Sequence, residues 1–219
     1  MGRGKLRVSI WAIVPLKPLK RAKSRLSSVL DNDQRATLSQ QIFERTLVTL
    51  KEVQGIGGIL VVSRDTEALS LARRYDVQTV QESGAPELND ALTRATEVVR
   101  AWNAQGVLIV ASDIPLMQTS DIENMLEMAT DPPAVVIAPD RRQEGTNALL
   151  VRPPGFIPYR FGASSFRKHR EEAEAAGAVV RVYQSATLGL DLDVPDDLDL
   201  YREALVQRKQ NEPAWLGSL

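Results

Sequence analysis

The chain has 219 residues, no cysteine and a formal net charge of -1, with 43% hydrophobic and 25% charged residues. That length supports one large core or two small ones, and the composition is that of an ordinary globular protein. The totals exclude a disulfide frame, a thiolate nucleophile and a cysteine-based zinc site. They give no reason to expect nucleic acid or a membrane as a partner, and the lack of cysteine fits a reducing cytoplasm.

The opening residues, MGRGKLR followed by VSIWAIVPL, imitate a secretory signal. A cluster of cations follows where a small-residue cleavage site would be required, so the apolar run reads as a buried strand over residues 8–14. Further short apolar, β-branched runs at 59–63, 77–81, 107–111, 134–138, 147–151 and 179–183 read as strands covered on both faces. Amphipathic patterns fill the gaps between them. DNDQRATLSQQIFERTLVTLKEV offers Asp33 as an N-cap and puts Leu38, Ile42, Leu47 and Leu50 on one face. DTEALSLARRY follows the second strand, and LNDALTRATEVVRAWNAQ carries Leu88, Leu92, Ala95, Val99 and Trp102 on one stripe. SDIENMLEMA opens with Ser120 as cap, SSFRKHREEAEAAG ends in Gly177, and VPDDLDLYREALVQRK has Pro195 in its first turn. The stretch APDRRQEGTNALLV joins two runs through a short polar loop and reads as a hairpin-like insertion.

Strand–helix alternation from end to end predicts a single three-layer α/β/α domain of Rossmann-like type with a mostly parallel mixed sheet, over residues 1–207. The polar tail 208–219 follows, with Trp215 free to dock on the body or on a partner.

In such a fold, ligands sit outside the carboxyl ends of the strands, so the loops there matter most. After the first run, VPLKPLKRAKSRL carries Lys17, Lys20, Arg21, Lys23 and Arg25 and no acid. It reads as a polyphosphate loop in which lysines act as point charges and prolines limit wandering; the plainer reading is a solvated basic surface. It is not a Walker A loop. The GIGG at 55–58 precedes a strand and so reads as a turn, not a dinucleotide fingerprint. After the fourth run, Asp113 in SDIPL is placed to hold a divalent cation on a substrate phosphate, or else to cap a turn before Pro115.

Gly145, Thr146 and Asn147 offer close backbone approach and polar contacts, though locally a turn between two strands explains them better. FGASSFRKH at 161–169 combines glycine, serines and a helix start into a small anion site, with a simple serine N-cap as the alternative. His169, the only histidine, falls inside that helix, where packing is at least as good an explanation as chemistry. In GLDLDVPDDLD, Asp191 and Asp193 share one face of an extended segment as possible metal ligands facing Asp113, while Asp196 and Asp197 read as helix caps. No nucleophile–histidine pattern is present. A cation loop, two carboxylate sites and an anion pocket are the parts of metal-assisted phosphoryl chemistry, in which the protein positions groups and neutralises charge.

The segments IVPLKPLKRAKSRL, LNDAL, ASDIPL, PDRRQEGTNALL, FGASSFRKH and LDLDVPDDL occur in that order. Together they resemble the guanylyltransferases of deazaflavin coenzyme F-420 biosynthesis, which act on 2-phospho-L-lactate or on phosphoenolpyruvate. The resemblance covers roughly residues 8–205 and implies a nucleotidyltransferase fold, Mg²⁺, GTP as donor and pyrophosphate as product. It assigns Lys17, Lys23 and Arg25 to the GTP phosphates, Asn89 to base and ribose, and Asp113 and Asp193 to the metal. Lys23 and Asp113 are thereby the catalytic candidates, and Thr146, Gly162 and Ser165 match the pocket for a phosphorylated three-carbon acid.

Two departures stand out. Gln143 occupies a position where the family pattern leads us to expect glycine, and Ala163-Ser164 replaces the commoner Pro-Gly kind of pairing. The same fold also carries molybdopterin guanylyltransferases and sugar-phosphate nucleotidyltransferases, but the Pro/Lys loop after strand one departs from their Gly-rich signature. A nucleotide-binding module without turnover is the third reading, and the intact carboxylate sites count against it. The choice among phosphoenolpyruvate, 2-phospholactate and 3-phosphoglycerate stays open, as does the oligomeric state.

Overall fold

The computed structural model describes residues 9–19, 23–83 and 87–207. Lys20, Arg21 and the tail 208–219 with Trp215 lie outside the described residues. Seven strands form one sheet: β1 (Ile10–Leu16), β2 (Ile56–Ser63), β3 (Gln78–Gln81), β4 (Gly106–Val110), β5 (Ala134–Pro139), β6 (Thr146–Arg152) and β7 (Val179–Val182). Their spatial order is β3-β2-β1-β4-β6-β5-β7. All neighbours run parallel except β6, which is antiparallel to both β4 and β5. The expected hairpin is therefore present, as β5 and β6.

Side chains alternate across the sheet, as the two-residue period of a strand requires. On one face Ala12, Val14, Leu108, Val136 and Leu150 pack with Phe43, Leu47 and Leu50 of α1 (Asn32–Glu52). Leu69 of α2 (Thr66–Arg73) and Ile122 and Met125 of α4 (Thr119–Met128) complete that layer. On the other face Ile13, Leu60, Ile109, Ile137 and Leu149 meet Leu92, Ala95 and Val99 of α3 (Leu88–Ala101) and Ala173 of α5 (Ser165–Ala175). This is the three-layer α/β/α arrangement, and it explains why the strands read as continuous apolar runs.

A third, smaller core bears on function. Leu26, Leu30, Leu38, Ile42, Leu116, Leu190 and Leu192 close over Leu198, Tyr201 and Leu205 of α6 (Pro195–Gln207). Each fully buried leucine contributes about 1.5–3 kcal/mol. This cluster clamps together the end of the basic loop, the start of α1 and the segment that carries Asp191 and Asp193.

Several local expectations need correction. The N-cap of α1 is Asp31, not Asp33, because Asp31 and Gln34 exchange side-chain and backbone hydrogen bonds in a capping box. The cap residue of α4 is Gln118, not Ser120; the Gln118 N–H donates to Asp121 at 2.9 Å. Trp102 lies just past the end of α3, 42% exposed, with its ring 4.8 Å from that of Trp11. Of GIGG, only Gly55 (φ 105°) is outside the strand. Gly58 is inside β2, where a Cβ would come within 2.6 Å of the Trp11 ring.

Candidate nucleotide and acceptor site

The strand order reverses direction beside β1: the chain goes from β1 outward to β2 and β3, then returns to β4 on the other side. That switch point opens a crevice at the carboxyl ends of β1 and β4. A cavity of about 340 Å³ occupies it, lined by Lys17 and Lys23 from the first loop, Asp113 after β4, and Asp193. Pro15, Leu16, Pro18, Leu19, Val62, Leu88 and Ala91 supply its apolar wall, and Arg64 and Glu82 add charges that the sequence reading missed. Those two stand after β2 and β3, loops to which the sequence reading assigned no motif. A larger hollow of about 580 Å³ lies between α6 and Arg141. Its charged lining is Asp140 and Arg141, the latter paired with Asp197 at 2.7 Å, whereas the smaller cavity gathers Lys17, Lys23, Arg64, Glu82, Asp113 and Asp193.

Lys23 is the pivot. It precedes a 3-10 turn, Ser24–Leu26, with its backbone in the left-handed region (φ 56°). Its side chain is only 4% exposed. The ammonium donates to the Leu192 carbonyl at 2.5 Å and stands 3.8 Å from Asp113 Oδ2. The Leu192 N–H in turn donates to the Asp113 carbonyl at 3.1 Å. One lysine thus joins the first loop, the end of β4 and the acidic segment. Arg25 approaches Asp193 at 3.7 Å, but both side chains are largely exposed, so this pair adds little on its own.

The acidic segment is held from behind. Asp197, 3% exposed, accepts the backbone N–H groups of Asp193 and Val194 at 3.0 and 2.9 Å and the Arg141 guanidinium at 2.7 Å. Burial works against its charge; those three donors outweigh it and hold the carboxyl below its ordinary range. Leu190 and Leu192 turn into the α6 core. Asp191 is pushed up to about 6, first by burial and then by the charges of Asp113 and Asp193, so the three carboxylates share one electrostatic field. Asn147 faces Asp191 at 3.5 Å and anchors to the Leu188 carbonyl at 2.8 Å.

The antiparallel β6 explains how residues so late in the chain arrive here. Its first residues lie at the carboxyl edge of β4, where the Ala111 N–H donates to the Asn147 carbonyl at 2.9 Å. Thr146 is beside it, 7% exposed, with its hydroxyl 3.0 Å from Nδ1 of His169. His169 is fully buried, and its Nε2 accepts the Arg160 backbone N–H at 2.9 Å. Burial first, and the neighbouring Arg160 charge second, bring its pKa down to about 4, so the ring is neutral at pH 7. Gly162 (φ 119°) has open space where a side chain would project.

The anion site expected at the start of α5 is narrower than its sequence suggested. The Ser165 N–H is bonded to the Gly162 carbonyl and the Phe166 N–H to the Glu144 carbonyl. Hydroxyls and the Gly162 backbone, more than free helix N–H groups, are what remains there. Ser165 itself is buried, and Ser164 is in the left-handed region without capping the helix. Asn89 uses its amide on the backbone of Phe161, accepting its N–H at 2.8 Å and donating to its carbonyl at 3.1 Å.

The sequence-nominated residues thus fall into two groups. Lys17, Lys23, Asp113 and Asp193 share the cavity, and Arg25, outside its lining, stands 3.7 Å from Asp193. Asn89, Thr146, Gly162 and Ser165 are outside its lining and belong to a second cluster around Phe161 and His169. Among the described residues, no three acidic or histidine side chains by themselves form a metal cage. Carboxylates in one field beside a lysine-lined cavity suit a hard cation that takes one or two carboxylates and completes its shell with phosphate and water.

With cations and carboxylates at the switch point of a mostly parallel sheet, and guanylyltransferase relatives over most of its length, the chain is a nucleotidyltransferase. A nucleotidyl transferase from Methanothermobacter thermautotrophicus has this fold: the two superpose with a TM-score of 0.64 at 15% identity, over 91% of this chain and 99% of that one. The sequence profile described as "Guanylyl transferase CofC like" matches residues 10–206, and the chain belongs to that family. It is 39% identical to a phosphoenolpyruvate guanylyltransferase of Rubrobacter xylanophilus, over 87% of this chain and 92% of that one. It is 35% identical to a 2-phospho-L-lactate guanylyltransferase of Methanothermobacter thermautotrophicus, over 85% and 81%. Among the described residues no helix is long and apolar enough to cross a membrane.

Proposed function

We propose that this protein transfers GMP from GTP to the phosphate of phosphoenolpyruvate, or of the closely related 2-phospho-L-lactate, in the cytoplasm as a step toward coenzyme F-420. The observation that carries this reading is Lys23, buried against Asp113 and the Leu192 carbonyl at the switch point. The cavity beside it is lined by cations and carboxylates together, as a triphosphate and its counter-ion require. The relatives named above supply the donor and the two acceptors.

An oxygen of the acceptor phosphate attacks the α-phosphorus of GTP in line. The bond from the α-phosphorus to the bridging oxygen breaks, and pyrophosphate leaves with the electron pair. The acceptor phosphate is already anionic at neutral pH, so no protein base is needed, and the one histidine is buried and neutral. Lys17 and Lys23 offset charge on the β- and γ-phosphates as the leaving group forms, with Arg25 beside them. Asp113 and Asp193 would hold Mg²⁺, with Asp191 adding negative charge beside them. Bound there, as one ion or a pair, Mg²⁺ would supply charge neutralisation to the reacting phosphates. Thr146, Gly162 and Ser165 hold the acceptor's phosphate or carboxylate.

The deciding measurement is mass spectrometry of the products formed from GTP with phosphoenolpyruvate, 2-phospholactate and 3-phosphoglycerate in competition. A GMP adduct of phosphoenolpyruvate is expected. Asp113→Asn should lower pyrophosphate release by on the order of 10²–10³-fold. A variant near wild-type rate at saturating Mg²⁺ removes Asp113 from the metal site.

A further inference from the structure

His169 connects two pieces of the second cluster in a way that fixes where its proton lies. A backbone amide can only donate, so Nε2, which receives the Arg160 N–H, is the unprotonated nitrogen. The ring proton therefore stands on Nδ1, pointing at Thr146 Oγ1. Having accepted that bond, the Thr146 hydroxyl must direct its own proton elsewhere, and it has no second partner among the described residues. A histidine is well suited to this place because one rigid ring offers an acceptor to a loop amide and a donor to a strand hydroxyl.

The loop it holds is pinned from the other side as well. Asn89 at the start of α3 binds both the N–H and the carbonyl of Phe161, and the Phe161 ring meets His169 edge-on at 4.7 Å. Arg160 and Phe161 are thus fixed by α3 and α5 together, immediately before the open Gly162.

We propose that His169 is a positioning residue for the acceptor: it turns the Thr146 hydroxyl into a committed donor toward an anionic oxygen of the phosphorylated acid and sets the Arg160–Gly162 backbone beside it. This rests on the reading of Thr146 and Gly162 as acceptor contacts. Asn89 acts on the same loop from α3.

The test is steady-state kinetics with GTP and phosphoenolpyruvate varied separately. His169→Leu removes both ring bonds. It should raise KM for phosphoenolpyruvate about tenfold, as expected for one lost hydrogen bond to a charged group, with KM for GTP within about twofold of wild type. His169→Asn, whose amide nitrogen reaches the Nδ1 position, should recover most of that loss. Thr146→Val should raise the acceptor KM as well, and adding it to His169→Asn should raise it by less than the product of the two single effects, since the Nδ1 arm acts through that hydroxyl and only the Nε2 arm through the loop. If His169→Leu does not fold, the Asn variant and its double mutant carry the comparison.

A parallel rise in both KM values, effects that multiply in the double mutant, or an Asn variant no better than Leu overturns the assignment. Absence of turnover by the wild-type protein overturns the proposed function and this assignment with it. Normal wild-type turnover with an unmoved acceptor KM overturns the assignment alone.

Discussion

Asp191, half-buried, and His169, fully buried, are titratable side chains that pull stability in opposite directions. Asp191 has a folded pKa of about 6 against an ordinary value of 3.8. Above pH 6 the folded protein carries the full cost of its charge; as pH falls toward 3.8 the folded carboxyl protonates first and the cost disappears. His169 has a folded pKa of about 4 against 6.5. Above pH 6.5 it costs nothing, and as pH falls toward 4 the unfolded chain gains the proton that the folded ring refuses. Over roughly pH 4–6 the two slopes offset each other. Asp191→Asn removes one of them. The shift corresponds to about 3 kcal/mol at most, and partial solvent contact lowers the expected gain at pH 7 to roughly 1–2 kcal/mol without divalent cations. The variant should also lose stability on going from pH 6.5 to pH 4.5 more steeply than wild type. Urea unfolding midpoints at pH 7 and pH 4.5 check both; a destabilised variant at pH 7 contradicts the electrostatic account. Gln143 is a second informative residue. Its φ of 57° is a left-handed backbone that costs a side-chain-bearing residue about 1 kcal/mol, which explains why a glycine is expected there.

At the scale of elements, the site depends on how two helices begin. The α1 capping box uses Asp31 and Gln34, and the next turns bring Leu38 and Ile42 into the core that also buries Leu26 and Leu192. Asp31→Ala should cost about 1 kcal/mol, and Asp33→Ala less than half of that, because Asp33 only complements the helix dipole. Denaturant titration of the two variants decides it, and equal losses would return the cap to Asp33. The start of α4 plays a similar part. Asp121, 4% exposed, accepts from the Ser185 and Thr187 hydroxyls, the Tyr183 phenol and the Gln118 N–H. That network ties the helix after the Asp113 loop to the segment leading into Asp191.

For the whole molecule, the organising fact is that the first loop and the last helix meet. Lys23 reaches Leu192 across 169 positions of sequence, and the small core beneath α6 holds both. A nucleotide bound at this junction should stabilise the entire fold by linkage, by about 2.7 kcal/mol at a hundredfold excess over Kd. Several degrees of Tm increase are expected with GTP and Mg²⁺ for a chain of this size. Lys23→Ala should shrink that shift at the same GTP concentration, and an unchanged shift removes Lys23 from the nucleotide site.

Much of this was legible in the sequence, and the physical reason is locality. Strands such as VLIVA and AVVIA are recognisable because a sheet covered on both faces demands apolar residues at every position. The β5–β6 hairpin shows in its short polar loop, and the family shows in ordered segments from IVPLKPLKRAKSRL to LDLDVPDDL. Lys23, Asp113 and Asp193 could be nominated because the carboxyl ends of strands are where such folds bind ligands.

The remainder required tertiary structure, since it rests on pairings that no local pattern records. Only the placement of antiparallel β6 between β4 and β5 brings Thr146 and Asn147 to the edge that carries Asp113. Only packing sets Asp191, half-buried and electrostatically coupled, apart from Asp193 two residues on, whose side chain is 44% exposed. His169 looked like one more helical residue; its meaning comes from a loop amide and a strand hydroxyl brought to opposite ends of one ring. Sequence by itself determined the elements and the chemical types at the site, because those follow from local preference and composition. Which groups face one another, and which are buried, was decided by the fold, because burial and hydrogen-bond partnership are properties of distant residues brought into contact.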